Sequence, residues 1–150
     1  FSIVIDYAHT PDALERLLAS VRELKPARII CVFGCGGDRD RTKRPRMARV
    51  TEQLADVVVV TSDNPRTERP EDIISEIVAG FEKPDSAKIM VEPNREKAIG
   101  LALNTAGEND IVLIAGKGHE PYQIIGKQKF NFSDKKIALN CLENKSDIRT

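Results

Sequence analysis

The run Asp56-Val57-Val58-Val59-Val60-Thr61, followed at once by Ser62-Asp63-Asn64-Pro65-Arg66, constrains this chain more than any other stretch. Consecutive β-branched residues without polar alternation suit a strand covered on both faces, the pattern of a parallel sheet. Such a sheet is covered by helices, and its ligands sit in the crevice beyond the carboxyl ends of the strands. An Asp, an Asn and an Arg at a strand end therefore face a site. Pro65 stiffens the turn that carries them.

The rest of the chain alternates in the same way. Ile3-Val4-Ile5 reads as a first strand running into Asp6-Tyr7-Ala8-His9-Thr10-Pro11-Asp12. There Thr10 suits an N-cap and Pro11 the first helical position. Leu14, Leu17, Leu18, Val21 and Leu24 follow as one apolar helix face, which Pro26 ends. Arg28 to Phe33 is a second strand, and a helix is expected to start near Pro45. Pro70 opens a helix with Ile73, Ile74, Ile77, Val78 and Phe81 inward. Lys88 to Val91 is a short strand, and Asn94 caps a helix that stops near Gly107. Asp110 to Ala115 is the last buried strand. Tyr122 to Ile125 and Lys129 to Phe132, joined across Gly126, read as an antiparallel hairpin at one sheet edge. Ser133 caps a final helix, and the polar tail after Glu143 is expected to fray. The fold class is α/β: a single doubly wound, mostly parallel, Rossmann-like sheet with helices on both faces.

Three more strand ends carry chemistry-bearing clusters. Gly34-Cys35-Gly36-Gly37 allows a tight turn with exposed N–H groups, and Arg39, Arg41, Lys43 and Arg44 follow. The stretch reads either as a solvated basic loop or as a carboxylate grip, because Arg holds a carboxylate through two parallel hydrogen bonds. Gly116-Lys117-Gly118-His119-Glu120 is either a flexible turn or an approach of backbone to ligand, with Glu120 receiving an ammonium. His119 alone reads as a structural histidine. Asp6 and His9 are either a helix-start cluster or part of a site, and Cys35 reads as an inert thiol. Arg39 and Arg66 for carboxylates, with Asp63, Asn64 and Glu120 for an ammonium and Gly116 as bendable backbone, suit a zwitterionic amino acid bearing an extra charged end.

Basic and acidic residues balance at 23 each, so no broad face for nucleic acid is implied. No stretch is apolar enough to span a bilayer, and no partner membrane is expected. Cys31, Cys35 and Cys141 lack a disulfide or zinc pattern, which suits reduced thiols in the cytoplasm. The 150 residues suit one domain, and the opening Phe1 with no preceding Met suggests a module cut from a longer polypeptide. Neither G-x-G-x-x-G nor G-x-x-x-x-G-K-[ST] occurs, which argues against a stand-alone dinucleotide enzyme.

At these strand ends the chain resembles the C-terminal domain of the Mur ligases, in particular the diaminopimelate-adding type. The matching stretches are Asp6 to Asp12, Val32 to Asp40, Lys43-Arg44-Pro45, Thr61 to Arg66 and Ala115 to Glu120, collinear over nearly the whole chain. The resemblance implies residues 1–150 of a three-domain, ATP- and Mg2+-dependent ligase, with both cofactors held mainly by a central domain. The parent would join meso-diaminopimelate to a UDP-MurNAc-dipeptide through an acyl phosphate; the isolated domain would be inactive and hold no catalytic residue or metal ligand. By matching motif, Arg39, Asn64, Arg66, Gly116 and Glu120 would contact the amino acid, with Asp63 and Pro65 in the same motif, while Asp6 and His9 would face the nucleotide. A lysine-adding or other Mur-type ligase domain, or a non-enzymatic amino-acid-binding module, remains the alternative.

Overall fold

A computed structural model describes residues 1–149, and side chains through Asn144. Seven strands and five helices follow in order: β1 (Ser2–Asp6), α1 (Pro11–Glu23), β2 (Ile29–Phe33), α2 (Lys43–Leu54), β3 (Val57–Val60), α3 (Pro70–Val78), β4 (Ile89–Val91), α4 (Arg95–Thr105), β5 (Ile111–Ala115), β6 (Tyr122–Ile125), β7 (Gln128–Asn131) and α5 (Asp134–Arg149). The five-stranded sheet runs β1-β5-β2-β3-β4 with every pair parallel.

This order follows from handedness. Right-handed crossovers carry the chain from β1 through β4 in one direction, which puts α1, α2 and α3 on one face. The return from β4 to β5 reverses direction, so α4 lies on the other. The core divides accordingly. Leu14, Leu18, Met47, Ile73 and Ile77 pack against Cys31, Phe33, Val58, Val60 and Leu113. Ala98, Ile99, Leu103 and Ala138 pack against Ile30, Val32, Val59, Val112 and Ile114. Alternate residues along each strand thus serve opposite faces, and every residue of β2, β3 and β5 is buried.

Local signals behave as their chemistry requires. The Thr10 hydroxyl accepts from Ala13 N and the Asn94 amide oxygen from Lys97 N, so both helices start at their caps. Helix α2 starts at Lys43, two residues before the position expected from Pro45. Proline fits inside the first turn because an N–H there has no helical partner to lose. Phe81 is buried beyond the end of α3 rather than on its face.

The hairpin expected at the sheet edge forms as a separate two-stranded sheet, β6 with β7. Its β6 bridges to Arg66, above the strand ends, instead of extending β1 or β4. Helix α5 runs on to Arg149, so the stretch expected to fray from Glu143 is helical; Thr150 lies outside the described residues. Among the described residues no helix is long and apolar enough to cross a membrane.

Candidate functional site

Register levels the strand ends. Asp6 pairs with Ala115, Phe33 with Val60, and Val32 with Ile114 one residue short of the end. The segments starting at residues 7, 34, 61 and 116 therefore leave the sheet at one height. Strand β5 sits between β1 and β2, whose helices lie on the opposite face from α5. The crevices beside β5 are thus where the connections part.

A cleft of about 540 Å³ opens there. Its lining includes Arg39, Asp63, Asn64, Arg66, Gly116, Glu120 and His9, so seven of the nine residues singled out in the sequence meet at one edge. Asp6 and Pro65 do not line it. The Asp6 carboxylate accepts from Ala8 N at 2.9 Å, closing a turn before α1, and Pro65 is buried behind the loop. His119 lies outside the cleft, exposed. Burial pushes the Cys35 thiol up to about 12, so no thiolate is on offer.

Of the four basic residues after the glycine turn, Arg39 and Lys43 reach the cleft. Arg39 is exposed, and one of its N–H groups donates to the neighbouring Asp38 carbonyl. Arg41 pairs with Glu76 at 3.0 Å. Arg44 is fully buried and donates to Glu68, Glu76 and the Gly36 carbonyl. Arg39 and Lys43 thus line the cleft, whereas Arg41 and Arg44 are taken up by acids of the chain itself.

That buried arginine cross-braces two loops. Glu68, held by Arg44, accepts from Asp38 N at 2.7 Å, and Thr67 donates its hydroxyl to the Asp38 carboxylate at 2.8 Å. Gly37 N donates to Asn64 O at 2.8 Å, and Arg66 Nη1 donates to Gly37 O at 2.9 Å. A Cβ on Gly37 would sit 1.8 Å from the Pro65 oxygen, so only glycine allows this approach. The Arg44 hydrogen bonds hold the Glu68 carboxyl down at about 2. A carboxylate lowered in the folded state contributes stability above its ordinary value of 4.5 and loses it as the pH falls towards 2. Glu68→Gln is therefore expected to cost about 2 kcal/mol at neutral pH, a figure reduced for partial exposure. Urea unfolding of both proteins from pH 7 down to pH 2 should show that gap closing below about pH 4.5.

The cleft lining also carries acids, Asp63 and Glu120. The Asp63 carboxylate lies against Gly116, whose φ of +117° needs glycine and where a Cβ would meet Asp63 Oδ2 at 2.6 Å. Glu120 is held only by long contacts, Tyr7 Oη at 3.4 Å and Asn64 Nδ2 at 3.5 Å. Beneath them Lys117 is fully buried, within 3.6 Å of Asp63 and 3.7 Å of Glu120. Burial pushes its ammonium below the ordinary lysine range, and Asp63 pulls it back. Arg66 has a φ of +53°, uncommon for a residue with a side chain, and its N–H and C=O are both bonded to the hairpin.

Sequence reasoning gave no role to Lys117, Tyr7 or Tyr122, which also belong to this cluster. A lysine flanked by glycines at the end of a buried strand was the one available signal for Lys117.

The family described as Mur ligase, glutamate ligase domain, matches residues 1–118. The chain belongs to the Mur ligase family. A Fusobacterium nucleatum protein named UDP-N-acetylmuramoyl-L-alanyl-D-glutamate--2,6-diaminopimelate ligase is 58% identical over 92% of this chain and 28% of its own length. A Thermosynechococcus vestitus protein of the same name is 54% identical over 96% of this chain and 29% of its own. A solved structure of a ligase with that name superimposes with a TM-score of 0.91 at 40% identity, over 96% of this chain and 29% of that one. The Mur ligase domain thus spans under a third of the length of these relatives. Its fold is shared with E. coli FolC in complex with ADP, at a TM-score of 0.56 and 18% identity over 99% of this chain and 30% of that one.

Proposed function

We propose that this chain is the amino-acid-binding domain, residues 1–150, of a three-domain ATP-dependent ligase that adds meso-diaminopimelate to UDP-N-acetylmuramoyl-L-alanyl-D-glutamate in the cytoplasm. One observation carries the reading: a single cleft is lined by Arg39, Arg66 and Lys43 together with Asp63 and Glu120. Two guanidinium groups and a pair of carboxylates in one cleft match an amino acid that carries two carboxylates beside an ammonium. The names of the close relatives support the same substrate.

The residues here bind and orient rather than react. Arg39 and Arg66 would take carboxylates, Glu120 and Asp63 an ammonium, and Gly116 would let backbone approach the ligand. Asp63 also sets the loop, through the hydrogen bond from Gln123 Nε2 to its carbonyl at 2.7 Å. Pro65 stiffens the turn from behind. In this reading His9, exposed on the rim, and Asp6 behind it face the nucleotide across a domain gap. Among the described residues no group of three or more His, Cys, Asp or Glu is placed to hold a metal. As the family resemblance implies, ATP and Mg2+ would be held mainly on another domain of the enzyme. When bound there, ATP would supply the phosphoryl group that activates the acceptor carboxylate.

The test is an amide-forming assay on the full-length enzyme with diaminopimelate and lysine as competing substrates. Diaminopimelate is expected to be preferred by about 10⁴-fold in kcat/KM, because lysine leaves the arginine that faces the second carboxylate unpaired. Equal use of the two amino acids overturns the assignment.

A further inference from the structure

The Asn64 side chain is locked in one orientation. Its Oδ1 receives the Lys117 ammonium at 2.5 Å and the Ile124 N–H at 3.0 Å. Both neighbours are obligate donors, so chemistry alone requires the oxygen on that side. The NH2 is then turned outward, where Nδ2 lies 3.5 Å from Glu120 Oε1 on the cleft wall. Lys117 cannot swing away. It is buried between Gly116 and Gly118, whose φ values of +117° and +54° fold the backbone around it, and it also donates to the Tyr122 carbonyl at 3.0 Å.

We propose that Lys117 is a positioning residue that fixes the polarity of Asn64, so that the amide offers the bound amino acid a hydrogen-bond donor and reads a carboxylate. The ammonium then falls to Glu120 and Asp63 alone. This revises the grouping suggested by the sequence, which put Asn64 with the acids. The buried cation also has a second role. Placed between two carboxylates, Lys117 lowers the acidic wall from two negative charges to one. That suits one ligand ammonium rather than two.

The inference rests on the amino-acid-binding reading above, and its test separates the two. Asn64→Asp keeps an acceptor for Lys117 and Ile124, replaces the outward NH2 with an oxygen and adds a negative charge that repels a carboxylate. In the full-length enzyme its KM for meso-diaminopimelate is expected to rise about 100-fold with its melting temperature nearly unchanged. An unchanged or lower KM would mean that Asn64 accepts from the ligand ammonium, and the proposal falls. Lys117→Met should raise the KM for diaminopimelate about tenfold and leave that for ATP alone. Equal rises in both would mark general loosening and count against it. Should that variant not fold, Asn64→Asp decides. A wild-type enzyme without diaminopimelate-dependent turnover overturns the functional reading beneath both. Normal wild-type turnover with an unaffected Asn64→Asp variant overturns the polarity assignment alone.

Discussion

Arg95→Ala is expected to destabilise this chain by roughly 3–5 kcal/mol, the cost of breaking a buried ion pair from one side. Arg95 and Asp134 are both fully buried, and they meet through two parallel hydrogen bonds of 2.8 Å. The same guanidinium donates to Ser62 O at 2.9 Å and to Ala115 O at 3.2 Å. One side chain therefore joins the first residues of α4 and α5 to the ends of β3 and β5. Alanine would leave a carboxylate buried without its partner, together with two carbonyls. Urea denaturation measures the loss, and a double-mutant cycle with Asp134→Leu isolates the pair, since removing both charges should cost less than removing Arg95 alone. A loss below about 1 kcal/mol would contradict the assignment of Arg95 as the strut.

The second large effect concerns recognition. In the full-length ligase proposed above, Arg66→Ala is expected to raise the KM for diaminopimelate by about 10³-fold and to cut its expected preference over lysine to about tenfold. Arg66 uses one amino group on the Gly37 carbonyl and lines the cleft with the rest of its guanidinium. Its backbone bonds to Ile124 and Gly126 survive in the variant, so the melting temperature should move little. The unusual φ is borne by either residue and does not alter the comparison. Steady-state kinetics with both amino acids and a thermal melt check the two halves together. A variant that melts much earlier would show Arg66 to be a structural residue instead.

The sequence exposed whatever is decided locally. The runs at β2, β3 and β5, the caps Thr10 and Asn94, and Pro11 and Pro70 at the first helical position each depend on a few adjacent residues. Polar clusters at four strand ends were equally visible, because a parallel sheet leaves its crevice in one place. Long-range pairing was not visible. Arg44 meets Glu68 and Glu76, and Arg95 meets Asp134, across dozens of residues, and a charge read in isolation defaults to solvent. Arg41 and Arg44 looked like two more hands for a carboxylate, yet the fold spends them on internal acids. The hairpin was legible as a hairpin, but not its docking on Arg66, since that contact rests on backbone groups.

The placement of β5 also governs when this architecture can exist during synthesis. Strand β1 is translated before the other strands of its sheet, yet it is bonded to β5, which is translated after all of them. Until residues 111–115 emerge, β2, β3 and β4 can associate while β1 waits without its neighbour and the central gap stays open. Pairings this distant along the chain carry a heavy loop-closure penalty and slow the final assembly. The edge where the strand ends meet is therefore incomplete until β5 pairs with β1 and β2.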